Sequence, residues 1–324
     1  MTLEEIRKPV LDDLEKVENE FLNLLHSDVS LIEDVIKHIS NFKGKRLRPI
    51  LLLLCSGLQG GITEYSIKAA TIVELLHTAT LIHDDVVDKS EMRRGGPSVN
   101  SIWTNKISIL IGDYIFASVL WGLTGLKNLE MINVLSKVAK RMSQGELLQL
   151  EQGQNYEMDE EVYFKLISDK TASLLDATCH LGALTSVDPA AAHVKNLKKF
   201  GEYLGIAFQI KDDLLDFTGN ALILGKPTSK DLIENTITLP LIYGLKNSDN
   251  SKHRKISDIL QNGITHDDVE YVRNFAIESG GLEYATKKAE YYTNKALACL
   301  DMYQNTDYKR SLIELTYFIT SREK

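Results

Sequence analysis

The chain has 324 residues, 44% of them hydrophobic and 25% charged, which is long enough to bury a large core and ordinary for a globular enzyme. Its formal net charge of -8 has the wrong sign for a nucleic-acid surface, because phosphate-backbone binding needs a basic face. Cys55, Cys179 and Cys299 stand far apart with no CxxC pair, which argues against a disulfide framework or a cysteine zinc site and fits a reducing cytoplasm.

Few prolines, apolar spacing of mostly three and four, and no sustained alternation predict a nearly all-α chain forming one domain over residues 1–324. The N-terminal MTLEEIRKPVLDDLEKVENEF is acidic and amphipathic, and reads as a helix over 3–26 rather than a secretory signal. Helices are predicted next over 28–40, 48–59, 63–91, 99–124, 128–153 and 159–186. The apolar run ILLLLC at 50–55 is far short of the roughly 20 residues that span a bilayer, so no transmembrane segment is expected. Later helices are predicted over 190–220, 229–248, 252–262, 266–280, 282–304 and 309–321, with breaks at Gly60-Gly61, Gly95-Gly96-Pro97, Asp188-Pro189 and Gly225-Lys226-Pro227.

Three stretches carry chemistry. FKGKRLRP at 42–49 sets Lys45, Arg46 and Arg48 between a glycine and a helix-starting proline. HTATLIHDDVVD, beginning at His77, closes an apolar run with Asp84, Asp85 and Asp88, and Arg93 and Arg94 follow at once. GIAFQIKDDLLD repeats the pattern with Asp212, Asp213 and Asp216, as helix pairs facing each other across a bundle would do.

Residues four apart on a helix lie about 40° from one another, so Asp84 shares a face with Asp88 and Asp212 with Asp216. Such like-charge pairs cost about 0.2–0.5 kcal/mol each on an exposed helix, which predicts a cation between them. One DDxxD alone reads more readily as a solvated helix end; two, each after an apolar run, favour a metal. Oxygen donors without His or Cys suit Mg²⁺, which takes one or two carboxylates plus phosphate oxygens and water. The adjacent arginines suit bidentate diphosphate recognition.

GKRLRP, HTATLIHDDVVD followed by MRRG, DKTASLL at 169–175, FQIKDDLLD at 208–216 and GKPTSKDL at 225–232 resemble, in order, the motif set of the trans-isoprenyl diphosphate synthases. The similarity is closest to the bacterial long-chain polyprenyl branch. It implies an all-α helical bundle of the isoprenoid synthase type with a central cavity, a cytoplasmic homodimer, and condensation of isopentenyl diphosphate with an allylic diphosphate. By resemblance, Asp84, Asp88 and Asp212 hold three Mg²⁺ on the allylic diphosphate, with Asp85, Asp213 and Asp216 assisting directly, through water or indirectly. Arg93, Lys170 and Lys226 would grip the same diphosphate, and Lys45, Arg48, His77 and Arg94 that of isopentenyl diphosphate. The backbone carbonyls of Lys170 and Thr171 and the Gln209 side chain would face the allylic cation.

The chemistry asks for these residue types. Ionising a C–O bond needs the departing diphosphate's charge neutralised in a water-excluded site, and no nucleophilic Ser, Cys or His is required. The chain departs from the family pattern at Lys43, where a second glycine is usual, and at Glu234-Asn235-Thr236, where a lysine is usual at the last position. Lys230 is a candidate replacement cation.

The apolar run before Asp84 also serves as a ruler. Ala79 and Thr80 are small where short-chain members carry an aromatic plug, so the floor is expected deeper, at Leu76 and Val73 with Phe116, Leu120 or Trp121 from a neighbouring helix. A helical turn of about 5.4 Å is close to one isoprene unit, and the resemblance implies a product of about six to eight units, a quinone side-chain precursor. ISILIGDYIFASVLWGL at 107–123 is the expected dimer element.

Other readings fit less well. A shorter-chain geranylgeranyl or farnesyl diphosphate synthase conflicts with the small residues at 79 and 80. A class I terpene cyclase needs neither the second DDxxD nor GKRLRP. A His83-Asp84 phosphohydrolase needs further His ligands, for which His26 and His38 lie in poor contexts. Non-catalytic subunits of heteromeric synthases typically lose aspartates that are present here.

Overall fold

Pro9 divides the first predicted helix: α1 (Leu3–Arg7) gives way to a 3₁₀ turn (Lys8–Val10) and then α2 (Leu11–Leu25). The computed structural model describes residues 1–42, 44–155, 159–187, 189–218 and 237–321. The chain continues through α3 (Ser30–Asn41), α4 (Leu47–Leu58), α5 (Glu64–Val87), the two-residue antiparallel strands β1 (Met92–Arg93) and β2 (Gly96–Pro97), α6 (Val99–Ile102) and α7 (Asn105–Leu126). Next come α8 (Leu129–Asn155), α9 (Glu160–Ile167), a π-helical turn (Ser168–Ala172), α10 (Ser173–Leu184) and α11 (Ala191–Thr218). The last described helices are α12 (Leu239–Asn247), α13 (Asn250–Asn262), α14 (His266–Glu278), α15 (Gly281–Cys299) and α16 (Asp307–Thr320). The all-α expectation is met, and the predicted helix over 229–248 is described only from its second half.

The predicted 99–124 helix is two helices. Thr104 sits between them, and its hydroxyl accepts the Ile107 N–H, starting α7 afresh.

The chain forms two compact units: 1–136, 177–197 and 303–312 in the first, and 137–176, 198–302 and 313–324 in the second. Four of the five boundaries fall inside α8, α10, α11 and α16, and the fifth between α15 and α16.

In the first unit α5 is the spine, packed on α2, α4 and α7. Thr63 caps it, accepting the Ser66 N–H and donating its own hydroxyl to the Thr185 carbonyl at 2.6 Å. Every residue of α4 from Pro49 to Ser56 is buried, and each fully buried leucine there is worth about 1.5–3 kcal/mol of transfer free energy. Ile72 and His83 of α5 point at α7, where they lie against Gly122 and Gly112. Leu76 and Ala79 fall on the same stripe, and both are buried.

Away from α5 the surface of α7 carries large apolar side chains: Phe116, Leu120 and Trp121 are exposed, Trp121 by 74%. Leu76 and Val73, the other residues expected at the tunnel floor, are buried. α7 is also long and apolar enough to cross a membrane by length and composition, with a mean hydropathy of 1.6 over a window 39% buried. It is longer than the run at 50–55 on which the expectation of no spanning segment rests.

The second unit packs α9, the π turn and α11 into one core with α12 to α15, built from Tyr163, Ile167, Ile210, Leu214, Phe217 and Leu241 among others. Asp159 caps α9 by accepting the Val162 N–H at 2.8 Å.

Candidate active-site halves

The basic loop of the first unit divides its labour. Arg46 begins α4 with left-handed backbone, φ 52°, rare for a residue with a side chain. Its guanidinium lies over the Phe21 ring and donates to Glu18 Oε1 and Glu74 Oε1, both at 2.7 Å. The Glu74 side chain is only 3% exposed. Arg46, which by sequence alone looks like one more ligand-facing cation, is the partner of a buried carboxylate.

Arg48 and Arg94 are different. Neither makes an ion pair within 4 Å among the described residues, and Arg48 Nε is fully enclosed without a hydrogen-bond acceptor. Burial pushes the Arg48 pKa down to about 10, Glu74 opposing and Arg94 adding. Arg94 is lowered too, chiefly by burial. His77, one turn beyond Glu74, is held well below its usual pKa by burial and then by Arg48, Arg94, Arg93 and Arg46. At neutral pH it is an uncharged imidazole among arginines. Desolvated cations of this kind are stabilised by an arriving anion.

The hairpin places Arg94, also in left-handed backbone, so close to Gly44 that a Cβ there would lie 2.6 Å from the guanidinium carbon. A cavity of about 50 Å³ is lined by Arg93 and Arg94 together with Phe42, Leu81, Ile82 and Val99. Lys45 is exposed.

The aspartates of the first motif have unlike surroundings. Asp84 is half-buried, and Asp88, the C-cap of α5, is exposed, with its N–H on the Asp84 carbonyl at 2.8 Å. Asp85 points inward, where it accepts from Arg93 Nε at 2.7 Å and from Arg93 Nη2. Arg93, expected on a diphosphate, has its fork on Asp85.

The second unit repeats the division. Asp212 is exposed and Asp216 half-buried on one face of α11, while Asp213 is buried. Asp213 Oδ1 accepts from Gln209 Nε2 at 2.9 Å and Oδ2 from the Tyr163 hydroxyl at 2.5 Å. Gln209 Oε1 in turn accepts from Thr171 Oγ1 at 2.7 Å.

Lys170 and Thr171 stand on the π turn, a local unwinding often found where function needs it. Lys170 Nζ donates to Glu146 Oε2 at 2.9 Å and Gln149 Oε1 at 2.8 Å. A Cβ on Gly145 would lie 2.8 Å from the Lys170 backbone nitrogen. Below the turn, Asp169 accepts from Arg141 Nε at 2.7 Å and Lys165 Nζ at 2.9 Å, which hold its carboxyl below the usual range against the raising effect of burial.

The sequence reading missed Glu74, Glu146, Gln149 and Tyr163. Glu146 and Gln149 had a signal, one helical turn apart in GELLQL. Tyr163 had none, being one more apolar-face residue of α9. Lys43, Lys226, Lys230, Thr236 and the GKPTSKDL motif lie outside the described residues. His83 Nε2 lies 3.2 Å from the Ile109 carbonyl, and among the described residues no group of three or more His, Cys, Asp or Glu side chains converges as a metal site.

A family model described as polyprenyl synthetase matches residues 29–275. The octaprenyl diphosphate synthase of Haemophilus influenzae is 33% identical over 322 residues, covering 99% of this chain and 98% of its own. The heptaprenyl diphosphate synthase component 2 of Bacillus subtilis is 33% identical over 313 residues, with 96% and 88% covered. Among solved structures, a polyprenyl synthase from Caulobacter crescentus complexed with calcium and isoprenyl diphosphate superposes with a TM-score of 0.92 at 31% identity, covering 100% of this chain and 98% of that one.

Proposed function

We propose, on the premise that this chain belongs to the polyprenyl synthetase family, that it condenses isopentenyl diphosphate with an allylic diphosphate to make a long-chain all-trans polyprenyl diphosphate. The observation that carries the reading is the shared plan of the two DDxxD motifs. In each, the first and third aspartates share one helix face, one of them exposed and the other half-buried, and the second turns inward to hold a polar side chain.

The family uses Mg²⁺, and the donor set fits it. The first and third aspartates of each motif share one helix face, and carboxylate oxygens suit a hard cation that brings phosphate oxygens and water with it. We assign Asp84 and Asp88 in the first unit and Asp212 and Asp216 in the second to three such ions. Bound there, Mg²⁺ supplies charge neutralisation to the departing diphosphate.

The chain's own groups do the rest. Arg48, Arg94, Lys45 and neutral His77 bind and orient the diphosphate of isopentenyl diphosphate. Arg93, Lys170 and Lys226 bind the allylic diphosphate. The carbonyls of Lys170 and Thr171 and the Gln209 amide oxygen face the allylic cation, which the isopentenyl double bond attacks. The proton then lost passes to the departed diphosphate.

The two interleaved units act as one catalytic domain, which the helices shared across their boundaries support. The exposed face of α7 suits a homodimer contact rather than a bilayer span, and would bring Phe116, Leu120 and Trp121 under cover, where they serve as tunnel floor. We place the enzyme in the cytoplasm. The Bacillus relative is named as a component, which raises a heteromeric reading; intact aspartates in both motifs of this chain favour activity without a partner.

The test is to incubate the purified chain alone with Mg²⁺, isopentenyl diphosphate and geranyl, farnesyl or geranylgeranyl diphosphate, and size the products. A ladder ending at about six to eight units, the length the family resemblance implies, supports the proposal. Arrest at farnesyl or geranylgeranyl diphosphate, or turnover only after adding a second protein, overturns it.

A further inference from the structure

An amide side chain is electrically two-faced: its oxygen stabilises a neighbouring cation and its NH₂ repels one. For Gln209 to serve an allylic cation, the carboxamide must be prevented from rotating by half a turn. Thr171 cannot do this, because a hydroxyl accepts from an NH₂ as readily as it donates to an oxygen. Asp213 can, since its carboxylate accepts only and therefore takes the amide's NH₂ end.

Asp213 is itself a buried carboxylate, 4% exposed, and needs its other oxygen satisfied and its charge kept. That oxygen receives the hydroxyl of Tyr163, a side chain buried in the core of the second unit at 2% exposure, with its ring edge-on to Phe164. Tyr163 belongs to α9 and Thr171 to the π turn that follows it, so a single run of chain supplies both ends of the series Tyr163, Asp213, Gln209, Thr171.

We infer that Tyr163 is a positioning residue for the condensation: through Asp213 it fixes which end of the Gln209 amide faces the allylic cation. The inference rests on the reading that Gln209 faces that cation. It also gives Asp213 a task other than holding metal.

Four enzymes test it: Gln209→Ala, Tyr163→Phe, the double variant, and Asp213→Asn, each measured for kcat, both substrate KM values and thermal midpoint. Gln209→Ala should lower kcat at least tenfold; if it does not, the parent reading fails on its own account. With that loss in hand, Tyr163→Phe should lower kcat about tenfold, as expected for a lost hydrogen bond to a charged group, with both KM values within about twofold of wild type. In the double variant the Tyr163 change should add nothing to the Gln209 loss.

Asp213→Asn, whose amide can donate as well as accept, should reproduce the kcat loss with an unchanged Mg²⁺ requirement. Full kcat in Tyr163→Phe, multiplication of the two losses in the double variant, or loss in Tyr163→Phe only in proportion to a lowered thermal midpoint overturns the inference. So does an Asp213→Asn enzyme that regains activity at high Mg²⁺, which would mark Asp213 as a metal ligand.

Discussion

Arg46 and Arg48 stand two residues apart in one basic loop, and replacing each by methionine should have opposite consequences. Removing Arg46 strands Glu74, whose side chain is 3% exposed, and breaking a buried pair by deleting one partner costs about 3–5 kcal/mol. Glu18, at 26% exposure, adds no more than a surface pair's ~1 kcal/mol. A loss of this size lowers the thermal midpoint by about 5 °C or more in a chain of this length.

Removing Arg48 deletes a cation that burial already destabilises and that no carboxylate within ion-pair distance offsets among the described residues. Its thermal midpoint should stay level or rise, while the KM for isopentenyl diphosphate increases about tenfold or more through a lost charge-assisted contact. Thermal scans beside initial rates at varied isopentenyl diphosphate separate the two. If Arg46→Met keeps the wild-type midpoint and raises only the KM, or Arg48→Met unfolds early with its KM intact, the division of roles is wrong. Glu74→Gln placed on Arg46→Met should recover part of the lost stability, because the stranded charge is gone.

Asp84→Ala and Asp212→Ala should each reduce turnover by orders of magnitude with unchanged circular dichroism, since relieving like-charge repulsion does not unfold a helix; near-native turnover in either discards its metal role. Burial pushes the Asp176 carboxyl up to about 6, opposed by Lys198 and Arg141 and helped by Glu202. The native state therefore holds this proton above the pH at which the unfolded chain releases it, and stability should fall as pH rises from about 4 to about 6 and remain lower at 7. Asp176→Asn should recover about 3 kcal/mol more at pH 7.5 than at pH 4 in urea unfolding; equal effects at both would show a carboxyl that folding does not shift. Ala79→Tyr inserts a ring on the α5 stripe that faces α7, roughly 7 Å below Asp84, and should truncate products to about three or four units with about 1–3 kcal/mol of overpacking strain. An unchanged product ladder would move the tunnel elsewhere. Light scattering at micromolar concentration should report a dimer, which Trp121→Glu weakens; a wild-type monomer removes the α7 interface.

Much of the fold and of the site is legible in the residues themselves. Apolar spacing located the helices because their stability comes from one buried stripe, and that stripe is written in the residues. It failed where backbone geometry departs from the α period without a change of composition. SDKTAS continues an apolar helix pattern, yet it unwinds into the π turn that carries Lys170 and Thr171. The same blindness applies to Arg46, since a left-handed residue with a side chain has no glycine or asparagine to announce it.

The inward aspartates were closer to hand. Asp85 and Asp213 lie about 100° around the helix from Asp84 and Asp212, so two faces were implied by the period itself. What each meets on the inner face, Arg93 in one unit and Tyr163 in the other, depends on packing between elements and has no local signature.

The close approaches at Gly44 and Gly145 bear on how freely such an enzyme can vary. Neither residue has a group that could touch substrate, yet in a saturation scan scored by activity both should stand out beside the aspartates. They would do so for unlike reasons. A methyl at 44 meets the tip of the Arg94 side chain, which can swing aside, so descendants could cross that position and lose grip on the anion gradually. A methyl at 145 meets the backbone of Lys170, which has nowhere to swing, and the only escape is to move the π turn itself. One glycine is a slope and the other a wall, and lineages of this enzyme should drift at the first and stay fixed at the second.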